Sequence, residues 1–277
     1  MAQRANLWVV RKLMEIITSV SNPHIKRVAA LQTRANTRRE EHAFIVEGMR
    51  LFLDTPDSSI EEVYATEEFA ARADAQMAAK LQKTGYTLVS PEVFGKICDT
   101  GNPQGILAVA KSPEYTMDDL HGKGEAPLLL VLENIQDPGN LGTIFRTAEA
   151  AGVTGILMSR GTVDVTNPKT VRSTMSSVFR MPYVYSDDLM NDIVSLKEKG
   201  IMVYAAHLDG TGDYDSFSYG GGTAFLIGNE GNGLSDEITA MADHLLKIPM
   251  AGRIESLNAA MAAGILVYEA SRQRRHN

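Results

Sequence analysis

Glu133-Asn134-Ile135-Gln136-Asp137-Pro138-Gly139-Asn140-Leu141-Gly142-Thr143-Ile144-Phe145-Arg146 decides how this chain is read. The stretch follows an apolar run, Leu128 to Leu132, breaks at a Pro-Gly turn and continues as a helix-like segment. Two later stretches have the same form: Ile227-Gly228-Asn229-Glu230-Gly231-Asn232-Gly233-Leu234, and Ile248-Pro249-Met250 leading into Glu255-Ser256-Leu257-Asn258. A strand that stops at glycines and small polar residues leaves backbone amides and carbonyls free, and open α/β sheets hold their ligands at that end. Three such ends in one region predict one shared pocket.

Around these stretches, strands are expected at 128–132, 154–158, 201–205, 223–227 and 245–248. Helices are expected at 141–151, 168–175, 187–199 and 234–241, with a long final helix from Ser256. Such alternation predicts a mainly parallel sheet with helices on both faces. Upstream lies a smaller α/β unit. It opens with a helix over Pro23–Gln32, which Asn22 caps and Pro23 begins. Strands at 44–46, 60–65, 86–89 and 105–110 follow, with helices at 49–53, 67–82 and 91–97. Lys111 to Pro127, with two prolines and two glycines, reads as a linker. The predicted organisation is therefore a leader over 1–18, a first domain over 19–111, a linker over 112–127 and a second domain over 128–277. Met14 offers an alternative start within the leader.

Bulk properties exclude several classes. A chain of 277 residues accommodates two ordinary domains. Its apolar runs are too short to span a bilayer, so no membrane partner is expected. The single cysteine, Cys98, rules out an internal disulfide and a cysteine-based zinc site, and points to a reducing cytoplasm. No metal is expected. The net charge of −7 argues mildly against nucleic acid, but distribution matters more than the sum. Lys26, Arg27, Arg34, Arg38 and Arg39 cluster early, and Arg272, Arg274 and Arg275 make the C-terminus basic. Any one such cluster can equally be a solvated helix face.

In the first motif Asn140 is expected to cap the helix, with Arg146 in its second turn. Six residues rotate a side chain by about 240°, so the two do not share a face. Arg146 can form a surface ion pair with Glu149, or project a planar fork at a phosphate or carboxylate. Glu230 sits in a glycine-rich loop that can lie against a flat ligand or be a plain turn. The loop is neither a Walker sequence nor a Gly-x-Gly-x-x-Gly fingerprint, which counts against a nucleotide-dependent oxidoreductase. Ser256 can cap the last helix, with Asn258 extending the cap. The small residues of helix 259–270 suit buried packing or a subunit interface.

In order and wording the three motifs resemble the SpoU branch of the SPOUT superfamily, the RNA ribose 2′-O-methyltransferases. The resemblance covers about residues 128–270. Phe44-Ile45-Val46-Glu47-Gly48 and Gly105-Ile106-Leu107-Ala108 resemble the family's amino-terminal substrate-binding domain, which has a ribosomal-protein-like RNA-binding fold. The resemblance implies a deep trefoil knot in the C-terminal sheet, a homodimer built through the knot region, and S-adenosyl-L-methionine as cofactor. It places cofactor contacts on His207, Leu208, Gly228, Asn229, Gly231, Ile248, Met250, Ser256 and Leu257. It implies a catalytic set of Arg146, Asn140, Glu230, Ser256 and Asn258. RNA binding would draw on Lys26, Arg27, Arg34, Arg38, Arg39, Arg146, Lys169, Arg172 and Arg180. The two-domain layout points to 23S ribosomal RNA rather than tRNA. A knotted but non-catalytic RNA-binding protein is the other alternative, and the intact Asn140, Arg146, Glu230 and Asn258 count against it.

Overall fold

In a computed structural model of the chain, residues 16–122, 126–254 and 256–275 are described. Most of the expected leader, Met14 included, therefore lies outside the described residues, as do 123–125 of the expected linker and Glu255. The chain forms two compact units. One runs to Pro113 and takes in Thr166–Pro168; the other comprises Glu114–Val165 and the chain from Lys169.

The first unit begins with α1 (Pro23–Thr33), where the Asn22 side chain accepts the His24 N–H at 2.9 Å. A helix that was not foreseen, α2 (Ala35–Glu41), leads to β1 (Ala43–Glu47) and α3 (Met49–Asp54). Then come β2 (Ile60–Ala65), α4 (Glu67–Arg72), α5 (Ala75–Thr84), β3 (Thr87–Leu88), α6 (Pro91–Ile97) and β4 (Ile106–Lys111). The sheet order is β1-β4-β2-β3, with β4 antiparallel to both neighbours and β2 parallel to β3. The single helix expected over 67–82 is two helices. Asp74 leaves helical conformation and accepts the Met77 N–H at 2.8 Å, starting α5 afresh. Aspartate gains more as a cap than inside a helix, which explains the break.

The second unit holds β5 (Leu128–Leu132), α7 (Pro138–Ala151), β6 (Gly155–Ser159), α8 (Pro168–Thr174, from Lys169 onward), β7 (Tyr183–Ser186) and α9 (Leu189–Glu198). It continues through β8 (Met202–Ala206), β9 (Gly212–Asp213), β10 (Thr223–Ile227), α10 (Asp236–Thr239), β11 (His244–Lys247) and α11 (Ala259–Arg275). The order is β7-β6-β5-β10-β8-β11-β9, and every pairing is parallel. Alternate strand residues face opposite ways. Leu129, Val131, Leu157, Val203, Ala205, Ala224 and Leu226 pack with Leu189, Ile193 and Leu196 of α9 and Ile238 of α10. On the other face Tyr204 and Phe225 meet Tyr219 edge-on, and Gln273 of α11 accepts the Tyr219 N–H. There α11 packs along α7 and against β5 and β10.

Two expectations change. The edge strand β7 was missed, because its four residues pair only with β6 and alternate weakly in burial. The expected linker also contributes to the core: a 3-10 turn over Met117–His121, closed by a Thr116–Asp119 capping box, buries Leu120 completely. Polar turn residues around one leucine resemble a linker in composition alone.

One connection sets the geometry of the ligand end. Only residues 207–211 join β8 to β9, yet β11 lies between those strands. The connection must cross β11, and it does so in contact. His207 N–H donates to the Leu246 carbonyl at 2.9 Å and Thr211 N–H to the Leu245 carbonyl at 3.1 Å. A Cβ on Gly210 would come within 2.5 Å of the Leu246 carbonyl carbon and 2.6 Å of Lys247 N, so only glycine permits this crossing.

Candidate active site

Strands β5 and β10 are parallel neighbours that end together, with Leu132 opposite Ile227 and the Glu133 N–H on the Ile227 carbonyl at 2.9 Å. The first two motifs therefore leave the sheet side by side. Pro138 occupies the first turn of α7, which makes Asp137 the cap: its carboxylate accepts the Asn140 N–H at 2.8 Å. The capping role expected of Asn140 belongs to Asp137, since the helix starts at the proline, three residues earlier than read. This frees the Asn140 carboxamide to reach the other two motifs. Its Nδ2 donates to Glu230 Oε1 at 2.8 Å, and its Oδ1 accepts from Asn258 Nδ2 at 2.8 Å.

Asn258 caps α11, accepting the N–H groups of Ala260 at 2.9 Å and Met261 at 3.3 Å. Ser256, the expected cap, is exposed two residues too early to serve. The donors run one way, from the α11 amides to Asn258, from Asn258 to Asn140, and from Asn140 to the Glu230 carboxylate. Glu230 also accepts the N–H groups of Gln136 at 3.2 Å and Asp137 at 3.3 Å. Partial burial alone would raise its pKa, but the Asn140 amide and the backbone donors outweigh burial and hold it below the usual glutamate value. Three segments far apart in the chain thus meet on one side chain, Asn140.

The second loop is shaped from within. Asn229 and Gly233 exchange backbone hydrogen bonds of 2.9 and 3.0 Å. Asn229 Oδ1 accepts the N–H groups of Gly231 and Asn232, and its Nδ2 donates to the Asn134 carbonyl at 2.7 Å. A Cβ on Gly228 would overlap the backbone of Gly233 and Leu234, so the loop folds back onto its own start.

Arg146 is exposed and makes no side-chain hydrogen bond or ion pair among the described residues. The Glu149 partner considered for it is engaged elsewhere: Glu149 accepts from the Arg180 guanidinium, at 3.0 Å through Nη2, and from the Ser177 hydroxyl. Arg180 is thus tied to α7. Lys169 lies 3.6 Å from the Asp137 carboxylate, and Arg172 is half-buried. Of the residues expected at the cofactor, His207 is half-buried and Leu208 exposed, both on the segment crossing β11. Ile248, Met250 and Leu257 are half-buried in the chain after β11.

The early basic cluster fares differently. Arg27 is enclosed by three carboxylates, with Nε 2.7 Å from Glu41, Nη2 2.8 Å from Glu61 and Nη1 2.9 Å from Glu62. Arg38 is buried, and its Nη1 donates to the Leu31 carbonyl at 2.9 Å. The guanidinium expected to face RNA is thus engaged within the protein in both cases, by acids distant in sequence at Arg27 and by a helix end at Arg38. Lys26, Arg34 and Arg39 remain exposed. At the C-terminus Arg274 is likewise spent, donating to the carbonyls of Ala126, Pro127, Tyr219 and Gly221.

The sequence reading gave no role to Glu133, Gln136 or Ser235. Glu133 is buried, and its carboxylate takes both the N–H and the hydroxyl of Ser235, at 2.8 and 2.7 Å. An acid directly after a buried strand was the available signal. Among the described residues no group of acidic, histidine or cysteine side chains could hold a metal ion.

Comparison with known proteins bears on both units. The model of the SpoU rRNA Methylase family matches residues 127–268, and that of the MRM3-like substrate binding domain matches 22–108. The chain is 32% identical to the 23S rRNA (guanosine(2553)-2′-O)-methyltransferase RlmP of Bacillus subtilis, over 92% of this chain and 98% of that protein. It is 32% identical to the 23S rRNA (guanosine-2′-O-)-methyltransferase RlmB of Vibrio vulnificus, over 84% and 97%. Among solved structures, the AdoMet-bound rRNA methyltransferase of Sinorhizobium meliloti superposes with a TM-score of 0.79 at 33% identity, covering 94% of this chain and 98% of that one. The SpoU methyltransferase AviRb of Streptomyces viridochromogenes, in complex with AdoMet, gives 0.80 at 28% identity, covering 92% and 100%.

Proposed function

The chain belongs to the SpoU rRNA methylase family, and from that premise we propose that it methylates a ribose 2′-hydroxyl of large-subunit ribosomal RNA. The reading is carried by the junction at Asn140, where Glu230 and Asn258 meet the helix that bears Arg146. The relatives that act on 23S rRNA, and the substrate-binding model matched by the first unit, support this RNA class.

S-adenosyl-L-methionine fits the end of the sheet. Close backbone crossings at Gly210 and Gly228 leave no room for side chains there, so main-chain groups line the loops where the cofactor would lie. His207, Leu208, Gly228, Asn229, Gly231, Ile248, Met250, Ser256 and Leu257 would hold it. The crossing of 207–211 over β11 supports the reading of these loops as a deep trefoil knot. Leu208, Ile254, Met261 and Tyr268 are large apolar side chains left exposed, and we assign them to a homodimer interface through that region. No helix among the described residues is long and apolar enough to cross a membrane. The single half-buried cysteine and the ribosomal substrate support a cytoplasmic setting.

When bound, the cofactor supplies the sulfonium methyl group that the ribose oxygen attacks. Methyl transfer is an in-line displacement, so the protein's main task is to position and orient. Arg146 is exposed to solvent and forms no ion pair among the described residues. It grips the target phosphate and stabilises the negative charge that develops at the 2′-oxygen as the hydroxyl proton is lost to solvent, to which this side of the site is open. The donors on Glu230 lower its proton affinity, which makes it a weak base and suits it to an orienting role. It fixes the first turn of α7, and so the direction in which Arg146 projects. The test is transfer of tritiated methyl to ribosomal RNA. Arg146→Ala is expected to lower turnover by about 10²–10³-fold while leaving cofactor affinity within twofold. Wild-type-like turnover in that variant overturns the assignment, and modification mapped to tRNA overturns the substrate.

A further inference from the structure

Glu133 stands outside the proposed catalytic set, yet its carboxylate is among the most committed polar groups at the end of the sheet. It is 8% exposed, at the point where β5 stops. Both oxygens accept from one residue, Oε2 from the Ser235 N–H at 2.8 Å and Oε1 from the Ser235 hydroxyl at 2.7 Å. The Ser235 hydroxyl oxygen also accepts the Ile238 N–H at 3.3 Å, so the same contact caps α10. The next residue along, Asn134, takes up the other end of the same loop: its carbonyl accepts from Asn229 Nδ2 at 2.7 Å. Two consecutive residues of β5's end therefore clamp the Asn229–Ser235 loop at entry and exit.

We propose that Glu133 is a positioning residue for cofactor binding, holding the exit of this loop so that its backbone groups are set before the ligand arrives. The inference rests on the reading that the loop contacts S-adenosylmethionine. Glu133 itself touches no reactant. A loop with two glycines, Gly231 and Gly233, has much conformational freedom to lose on binding, and a buried carboxylate that fixes one end removes part of that cost in advance. Glu230 acts on the opposite side of the loop, toward α7, so the two acids divide the work. Glu133 sets the loop on the sheet, and Glu230 sets the α7 turn on the loop.

The chemistry of the contact predicts an ordered set of variants. Glu133→Ala leaves the half-buried Ser235 N–H without its acceptor. Glu133→Gln keeps an oxygen for that N–H, and the Ser235 hydroxyl can turn to accept from the new amide. Cofactor affinity measured by calorimetry is expected to fall at least tenfold in Glu133→Ala and to recover to within threefold of wild type in Glu133→Gln. The KM for RNA is expected to stay within twofold in both. In the ligand-free protein, amide hydrogen exchange over 229–235 is expected to quicken in Glu133→Ala, with strands β5 and β10 unchanged. Ser235→Ala, which keeps the backbone bond, is expected to lose about threefold in affinity and serves if Glu133→Ala does not fold. Unchanged exchange over 229–235, or equal losses of RNA and cofactor affinity, overturns the inference. Failure of the wild-type protein to bind S-adenosylmethionine would instead sink the proposed function, and the exchange result would still decide whether Glu133 holds the loop.

Discussion

Asn140 lies 90 residues from Glu230 and 118 from Asn258 along the chain, and the three form one continuous run of hydrogen bonds. Lys26, Arg27, Arg34, Arg38 and Arg39 lie close together in the sequence, and the fold sends them different ways. Arg27 is locked among Glu41, Glu61 and Glu62, Arg38 is buried against a helix end, and the other three face water. Nearness in sequence is thus a poor guide to shared purpose. Uncharged amides with both donors and acceptors can chain together only in one geometry, which the sheet ends supply. An arginine pairs with whichever acid the fold brings near it.

That contrast can be broken most severely at Asn140. Asn140→Ala removes the side chain that bonds to both other motifs. Methyl transfer is expected to fall by about 10²-fold or more, within the range seen when an oriented donor at an active site is lost. Asn140→Asp, which reverses the donor toward Glu230 and sets two carboxylates together, is expected to do no better. Retention of full activity in both would show that the junction is scaffolding without consequence for the reaction.

A smaller effect is expected from protonating the junction. Glu230 has a lowered pKa in the folded protein, so its contribution is complete above the ordinary value of 4.5 and is lost as pH falls through the lowered one. Cofactor binding followed by calorimetry is therefore expected to hold level from neutral pH down to about 4.5 and to weaken only below it. Glu230→Gln is expected to show the weakened binding already at pH 7. A wild-type decline centred near pH 6 would contradict the assignment of the bonds to an ionised carboxylate.

The basic cluster sharpens the contrast from the other side. Arg34→Ala and Arg39→Ala are each expected to weaken RNA binding and to lower the slope of log affinity against log salt by about 1, as loss of a phosphate contact does. Arg27→Ala is expected to leave that slope unchanged and to cost roughly 1–3 kcal/mol of stability in denaturant unfolding, since it strands three carboxylates. If Arg27→Ala instead lowers the salt slope with no loss of stability, its carboxylate cage opens when RNA binds.

The difference between helix caps shows how far local signals carry. Asn22 and Pro23 fixed the start of α1 correctly because a cap and its proline are neighbours. The same rule applied at Pro138 makes Asp137 the cap, yet the reading gave the role to Asn140 because the helix was begun at the first apolar residue. Leu120 and β7 were missed for a related reason. Each has only a few local residues to announce it, and each is stabilised by strands elsewhere in the chain.

By itself the sequence determined the strand and helix alternation, the parallel character of the larger sheet, and the residue types at three strand ends, because periodicity and turn chemistry act over a few residues. It also carried the likeness to a family of RNA methyltransferases. Only the tertiary structure decided that 207–211 crosses β11, that Asn140 joins the three motifs, that Glu133 holds Ser235, and which arginines keep their charge. Those outcomes depend on which backbones lie side by side in the sheet, and the order β5-β10-β8-β11 is a property of the closed fold that no local stretch encodes.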